Sequence, residues 1–408
     1  MKPAILTVSS SSQERGANKV HIEYVDRLKG LYSEVLPILT SVEAIRNIAK
    51  KLEEYPLVYV VVATGGTSDL ILEIAKHTNT VLLTHGKQNS LASALNAAFR
   101  LKRKEKYVKI VHGLSSSSLE EIKYMSLVSE VVSQLKEKRI ILFCASKELA
   151  ERTYGVSFLE DKLKMKVIPV DIEEFIERFG KSKENEELIK KYGSFPRTEV
   201  VKEDIVKASR ILTAMQDELK KAGADLCAFR CFPFLTREKI TPCLAISHLL
   251  DLGITAACEG DLSSMLMLKI LHLLSGKPAF MGNVEDFQNN LLLLAHCTVA
   301  STIVSNCSVR SHFETGFGAS IAGVFKEDEE VTLANFSPDF REIFITTGKI
   351  EKGYPVSEEF CRTQVLVRTR TSPKRIVESA VNRHLCMVVG NFEEELRRLV
   401  EFLGVTIL

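Results

Sequence analysis

Gly253-Ile254-Thr255-Ala256-Ala257-Cys258-Glu259-Gly260-Asp261, followed by the apolar run Leu262 to Leu274, is the stretch on which the fold reading turns. Its β-branched and small residues describe a buried strand, and the run after it is long enough for a helix. Glu259 falls where the strand gives way. Strand, acid and helix in that order form the repeating unit of an open parallel sheet, whose ligands gather in the crevice beyond the carboxyl ends of the strands. After Ser275-Gly276-Lys277-Pro278 a second strand is predicted at Ala279-Phe280-Met281, ending at Gly282-Asn283. Two strand tips thus present polar groups, one an acid and one an amide.

Outward from that point the same alternation recurs. Strand signals at Ala4 to Val8, Val58 to Ala63 and Val81 to Thr84 are separated by helical stretches from about Lys19, near Asp69 to His77 and from Ser90. A fresh unit starts at Arg139-Ile140-Ile141-Leu142-Phe143-Cys144 and continues through Val167-Ile168-Pro169-Val170, a helix of about Lys202 to Ala222 and the strand Leu226 to Arg230. Beyond Pro278 the texture changes to β-rich segments around Val331 to Ala334, Glu342 to Ile345 and Thr363 to Arg368, and a helix from Glu393 to Leu403 closes the chain. The predicted fold class is α/β, with two doubly wound parallel-sheet domains followed by a β-rich antiparallel C-terminal domain. The boundaries fall at 1–136, 137–276 and 277–408.

Composition bounds the functions. The chain has 408 residues, 45% hydrophobic and 26% charged, with a formal net charge of +2. Nothing in that balance calls for nucleic acid, and Lys102-Arg103-Lys104 and Lys220-Lys221 read as solvated helix faces. No stretch approaches the roughly 18 uninterrupted apolar residues of a membrane span, and the first residues lack the order of a signal peptide, so a cytoplasmic protein is expected. The nine cysteines, all from Cys144 onward, include no CxxC pair, which predicts reduced, mostly buried thiols.

Several residues stand out by position. An ionised Glu259 beside apolar runs needs a partner, whether the free N–H groups of the next helix or a metal. Asp261 is read as the cap of the helix starting at Leu262. Arg230 ends another strand, with a substrate contact and a structural ion pair as its two readings. His296 and His312 are further pocket candidates, each with a structural histidine as the alternative. In Ala63-Thr64-Gly65-Gly66-Thr67-Ser68 a strand opens into a helix without P-loop or GxGxxG spacing, and the loop has two readings, N–H groups that hold an oxyanion or a hydroxyl-rich ligand, or an ordinary strand-to-helix turn. The Thr84 to Leu91 segment, with Asn89, ends the next strand in the same way. There is no tryptophan, which leaves Phe232, Phe234, Phe313 and Phe317 as rings against which a sugar could stack.

A resemblance joins these features. Thr241-Pro242-Cys243-Leu244-Ala245-Ile246-Ser247, Asp251-Leu252-Gly253-Ile254, Ala257-Cys258-Glu259-Gly260-Asp261 and His272-Leu273-Leu274-Ser275-Gly276-Lys277-Pro278 resemble the core signature of the L-fucose isomerase and L-arabinose isomerase family. The likeness is strongest from about residue 226 to 283, extends to the two N-terminal loops and the C-terminus, and is weak from 150 to 200. It implies two α/β domains and a β-rich domain, with a metal site where the second and third meet. Glu259 matches the first metal-binding carboxylate, and Asn283 falls where the family has aspartate. His384, in Val381-Asn382-Arg383-His384-Leu385, matches the third ligand. The resemblance thus implies a divalent metal on Glu259, Asn283 and His384, with Glu259 and Asn283 in the catalytic positions. Such a mixed oxygen and nitrogen set suits Mn²⁺, and also Mg²⁺, Co²⁺ or Fe²⁺. Arg230, Thr64, Gly65, Thr67, Asn89 and His312 would contact the sugar, Asp261 and His296 would support the ligands from behind, and a homotrimer or hexamer would let the N-terminal loops reach a neighbouring subunit. The implied reaction is aldose–ketose interconversion through an enediol. Because an amide can neither bring charge to a metal nor act as a base, the alternative is a sugar-binding or regulatory protein on the same scaffold; different carbohydrate chemistry on that scaffold is a third reading.

Overall fold

A computed structural model describes residues 1–145 and 153–408, which divide into two compact units, Met1–Leu135 and Lys136–Leu408. The first unit is a five-stranded parallel sheet of β1 (Ala4–Val8), β2 (Glu34–Leu39), β3 (Leu57–Val62), β4 (Asn79–Thr84) and β5 (Val108–His112), in the order β2-β1-β3-β4-β5. Every residue of β3 is buried, as a continuous apolar run requires when helices cover both faces. The chain leaves β1 in one direction and β3 in the other, which opens a crevice between their carboxyl ends.

The second unit begins with another parallel sheet, built from β6 (Arg139–Cys144), β7 (Lys166–Asp171), β9 (Leu226–Phe229) and β10 (Thr255–Cys258) in the order β10-β9-β6-β7, while β8 (Arg197–Thr198) joins a small separate sheet. The rest is β-rich: β11 (Phe280–Gln288), β12 (Leu291–His296), β13 (Asn306–Arg310), β14 (Ser320–Val324), β15 (Glu330–Phe336), β16 (Glu342–Lys352), β17 (Thr363–Thr369), β18 (His384–Val389) and β19 (Thr406–Ile407). The order β15-β18-β11-β12-β17-β16, closed by antiparallel pairing of β16 with β15, makes a six-stranded barrel, with β19 added in parallel to β16. Closure leaves no open edge among these six strands. Helix Leu262–Ser275 packs against β9 and β10 on one side and β15 and β18 on the other. That double burial is why its sequence is apolar on nearly every face.

The strand predicted to end at Gly282-Asn283 runs on to Gln288, so Asn283 lies within β11 and is no strand tip. Hairpin pairing with β12, down to Gln288 opposite Leu291, carries the polar residues beyond Asn283 into the ladder. Gly282 is needed inside it, since a Cβ there would meet the Leu294 Cβ at 2.9 Å. All nine cysteines are free thiols and all but Cys307 are buried. Among the described residues no helix is long and apolar enough to cross a membrane.

Candidate metal centre

Glu259 leaves the end of β10 with φ of +57°, a left-handed conformation that costs a non-glycine residue about 1–3 kcal/mol and is held only where its surroundings impose it. The turn aims its carboxylate at the barrel. Oε2 accepts from the Arg383 guanidinium at 2.8 Å. Oε1 faces two histidines, with Nε2 of His384 at 3.6 Å and Nε2 of His296 at 3.9 Å. The barrel supplies both rings from the two strands that flank β11. Asn283 of β11 stands directly between Ala295 of β12 and His384 of β18, so one rung of the ladder sets His384 across β11 from the end of β12, where His296 follows Ala295. The two rings are 6.0 Å apart.

Both histidines are oriented from behind. The His384 Nδ1–H donates to Oδ2 of Asp261 at 2.8 Å, and Nδ1 of His296 is hydrogen-bonded to the Thr298 hydroxyl at 2.8 Å. Asp261 also caps helix Leu262–Ser275 by accepting from the Ser264 N–H at 2.9 Å, so the helix start and the ring orientation share one carboxylate. With Nδ1 committed to Asp261, Nε2 is the His384 ring atom turned toward Glu259. Among the described residues that buried atom has no hydrogen-bond partner. A buried polar atom left without a partner costs about 1–3 kcal/mol, which a cation would recover.

The electrostatics agree with the geometry. Burial pushes the Glu259 carboxyl up, but the nearby His384 ring and the charges of His296 and Arg383 bring it down to about 2. Burial also raises Asp261, and its bonds to His384, Ser263 and Ser264 outweigh that and hold it well below the usual carboxylate range. Burial, then the charge of His384, lowers His296 to about 3, so its imidazole is neutral at ordinary pH. For His384 burial is outweighed by Asp261 and Glu259, and the ring is raised. A metal and a proton compete for its Nε2, so binding releases that proton. Glu259, His296 and His384 offer ligand atoms that all lie within 4.8 Å of one another. One carboxylate, two imidazoles and an orphaned buried nitrogen fit a divalent metal ion.

The other sequence candidates fall around this centre or in the first unit. The Asn283 side chain is hydrogen-bonded to Glu285, whose carboxyl is raised by burial and by Glu259. Arg230 follows Phe229 just as Glu259 follows Cys258, and those two residues are paired, so both side chains start from one edge of the sheet. His312 is buried, and burial followed by the charge of Arg362 lowers it to about 4. Its ring lies 6.3 Å from that of Phe232, which is 40% exposed, whereas Phe234 is fully buried among Phe175, Phe179 and Phe229 and is unavailable for stacking. In the first unit Ser10, Gly65, Gly66, Gln88 and Asn89 line a crevice of about 450 Å³ at the carboxyl ends of β1, β3 and β4. The Thr64 hydroxyl accepts from the Ser10 N–H, and that of Thr67 donates to the Thr64 carbonyl, so both are turned into the loop. Gly65 admits no side chain, because a Cβ would meet that of Asn89 at 2.8 Å.

No protein-family model matches the chain. Among curated proteins it is 27% identical over 209 residues to a sulfoquinovose isomerase of Clostridium sp. (strain MSTE9), covering 48% of this chain and 46% of the relative. It is 29% identical over 93 residues to a sulfoquinovose isomerase of Alkalicoccus urumqiensis, covering 22% of this chain and 21% of the relative. The similarity is therefore to sugar isomerases, and the chain spans less than half the length of the curated relatives it matches.

Proposed function

We propose that this protein is a metal-dependent isomerase that interconverts an aldose and its ketose. The observation that carries the reading is the buried, unpartnered Nε2 of His384, turned with Nε2 of His296 toward one oxygen of Glu259. The similarity to sulfoquinovose isomerases supports it and brings sulfonated sugars into the substrate class beside fucose-like and arabinose-like aldoses. A divalent metal such as Mn²⁺ on Glu259, His296 and His384 would polarise the carbonyl and the adjacent hydroxyl of an open-chain sugar.

The chain's own groups do the rest. Asp261 and Thr298 hold the two rings so that each Nε2 faces Glu259, and Arg383 pins the far oxygen of Glu259. His312 stays neutral and is suited to a hydroxyl of the sugar. Asn283 keeps its place between the histidine-bearing strands as an uncharged neighbour of Glu285. That same amide, standing where the resemblance implies a carboxylate, favours the second reading, a sugar-binding protein without turnover.

A panel of aldoses, sulfoquinovose included, assayed for ketose with and without Mn²⁺ separates the two. Turnover by wild type that depends on metal and is lost in Glu259→Gln is the expected result. Turnover only in Asn283→Asp points to the binding reading, and no ketose from any variant ends the isomerase reading.

A further inference from the structure

An aldose–ketose isomerase must move a proton between C1 and C2, and the metal centre described above leaves that task without an owner. Glu259 is committed, with one oxygen facing two histidines and the other on Arg383. Asn283 has no basic atom. The structure offers another carboxylate beside it. In the pairing of β11 with β12, Val284 faces Leu294 and Asp286 faces Leu293, so Glu285 is the extra residue of a β-bulge, with no partner across the ladder. On its other side β11 parts from β18 at the same point, since the last backbone bond is from the Val284 N–H to the Arg383 carbonyl at 2.9 Å. Bulges at barrel rims re-aim a side chain, and this one leaves Glu285 free of the ladder beside Asn283. Its carboxylate accepts a hydrogen bond from the Asn283 amide and feels the charges of both Glu259 and His384.

From this placement we infer that Glu285 is the proton-transfer group of the site, supplying from the bulge the second carboxylate that Asn283 does not provide. The inference rests on the isomerase reading. Glu285 accepts the proton from C2 of the open-chain aldose, and the C2–H electron pair becomes the C1–C2 double bond while the carbonyl pair moves onto O1. The same carboxyl then returns the proton to C1, the hydroxyl proton of O2 passes to O1, and O2 becomes the ketose carbonyl. No oxidant or reductant is needed. The Asn283 amide, fixed between β12 and β18, positions the carboxylate. Glu314 also faces Glu259 and Glu285 and is the competing acid.

The test compares wild type, Glu285→Gln, Glu285→Asp and Glu314→Gln on whichever aldose of the panel wild type converts, with Mn²⁺ affinity measured by calorimetry for each. Glu285→Gln is expected to lose about 10²–10⁴-fold in kcat and to stop incorporating solvent deuterium at the transferred position, while its Mn²⁺ affinity stays within about threefold of wild type. Glu285→Asp should recover part of the rate. Retention of kcat by Glu285→Gln, or its loss by Glu314→Gln alone, overturns the assignment while the isomerase reading stands. A wild type that converts no sugar overturns both.

Discussion

Asp261 shows how one side chain ties folding to the site. It accepts from the Ser264 N–H, from two serine hydroxyls and from Nδ1 of His384, so the carboxylate that starts a helix also selects the ring tautomer. Replacing it with asparagine keeps a good cap but removes the charge opposite Nδ1. Metal affinity is expected to fall about 10–100-fold, as for other partners that orient a liganding histidine, with unfolding little changed. Titration calorimetry with Mn²⁺ checks this, and an affinity equal to wild type would remove Asp261 from the ligand's support. At this scale Glu259 is legible as an acid between apolar runs, while His384 is legible through the resemblance. His296 is less so: in Leu291-Leu292-Leu293-Leu294-Ala295-His296 it follows an apolar run as any core histidine might. Its role depends on which strand lies beside it.

Elements are held in place by polar groups between them. Helix Cys243–Asp251 ends on a carboxylate, 4% exposed, that pairs with Lys191 at 2.7 Å, accepts from the Ser301 hydroxyl at 2.9 Å and receives the Thr302 N–H at 3.0 Å. Burial raises the Asp251 carboxyl, but these partners outweigh it and its net shift is downward. A carboxylate depressed in the folded state contributes stability above its unfolded value of about 3.9, and that contribution is lost as pH falls through the folded value. The unfolding free energy of wild type should therefore drop more steeply below about pH 4 than that of Asp251→Asn, which at neutral pH should be about 1–3 kcal/mol less stable. Chemical denaturation across that range measures both, and parallel pH curves would refute the linkage. Elements with a strong period, such as β6, helix Lys202–Ala222 and helix Glu393–Leu403, lie where the sequence puts them. The strand through Asn283 does not stop where its apolar residues stop, because ladder bonds to β12 sustain it.

On the scale of the whole molecule, the centre draws one ligand from the end of a parallel sheet and two from a barrel, both within the Lys136–Leu408 unit. A metal bound there would clamp β10 to β12 and β18. Mn²⁺ at a hundred times its Kd should stabilise the protein by about 2.7 kcal/mol, reversed by chelation, with hydrogen exchange slowed around residues 255–262, 292–298 and 384–389. A thermal midpoint that ignores saturating Mn²⁺, or that shifts equally in Glu259→Gln, would show that the clamp does not form.

Side-chain period and turn residues, both local, set the α/β class, the strand before Glu259, the apolar helix after it and the β-rich C-terminal third. Pairing between distant segments closes the six strands into a barrel, brings His296 across from Glu259 and makes Glu285 the bulged residue beside Asn283. Register and bulges are set by pairing between distant segments, and a slip of one residue would send every side chain of a strand to the opposite face. That is why the acid quoted at the outset was visible in the chain, while the place of His296 beside it and the bulge at Glu285 were not.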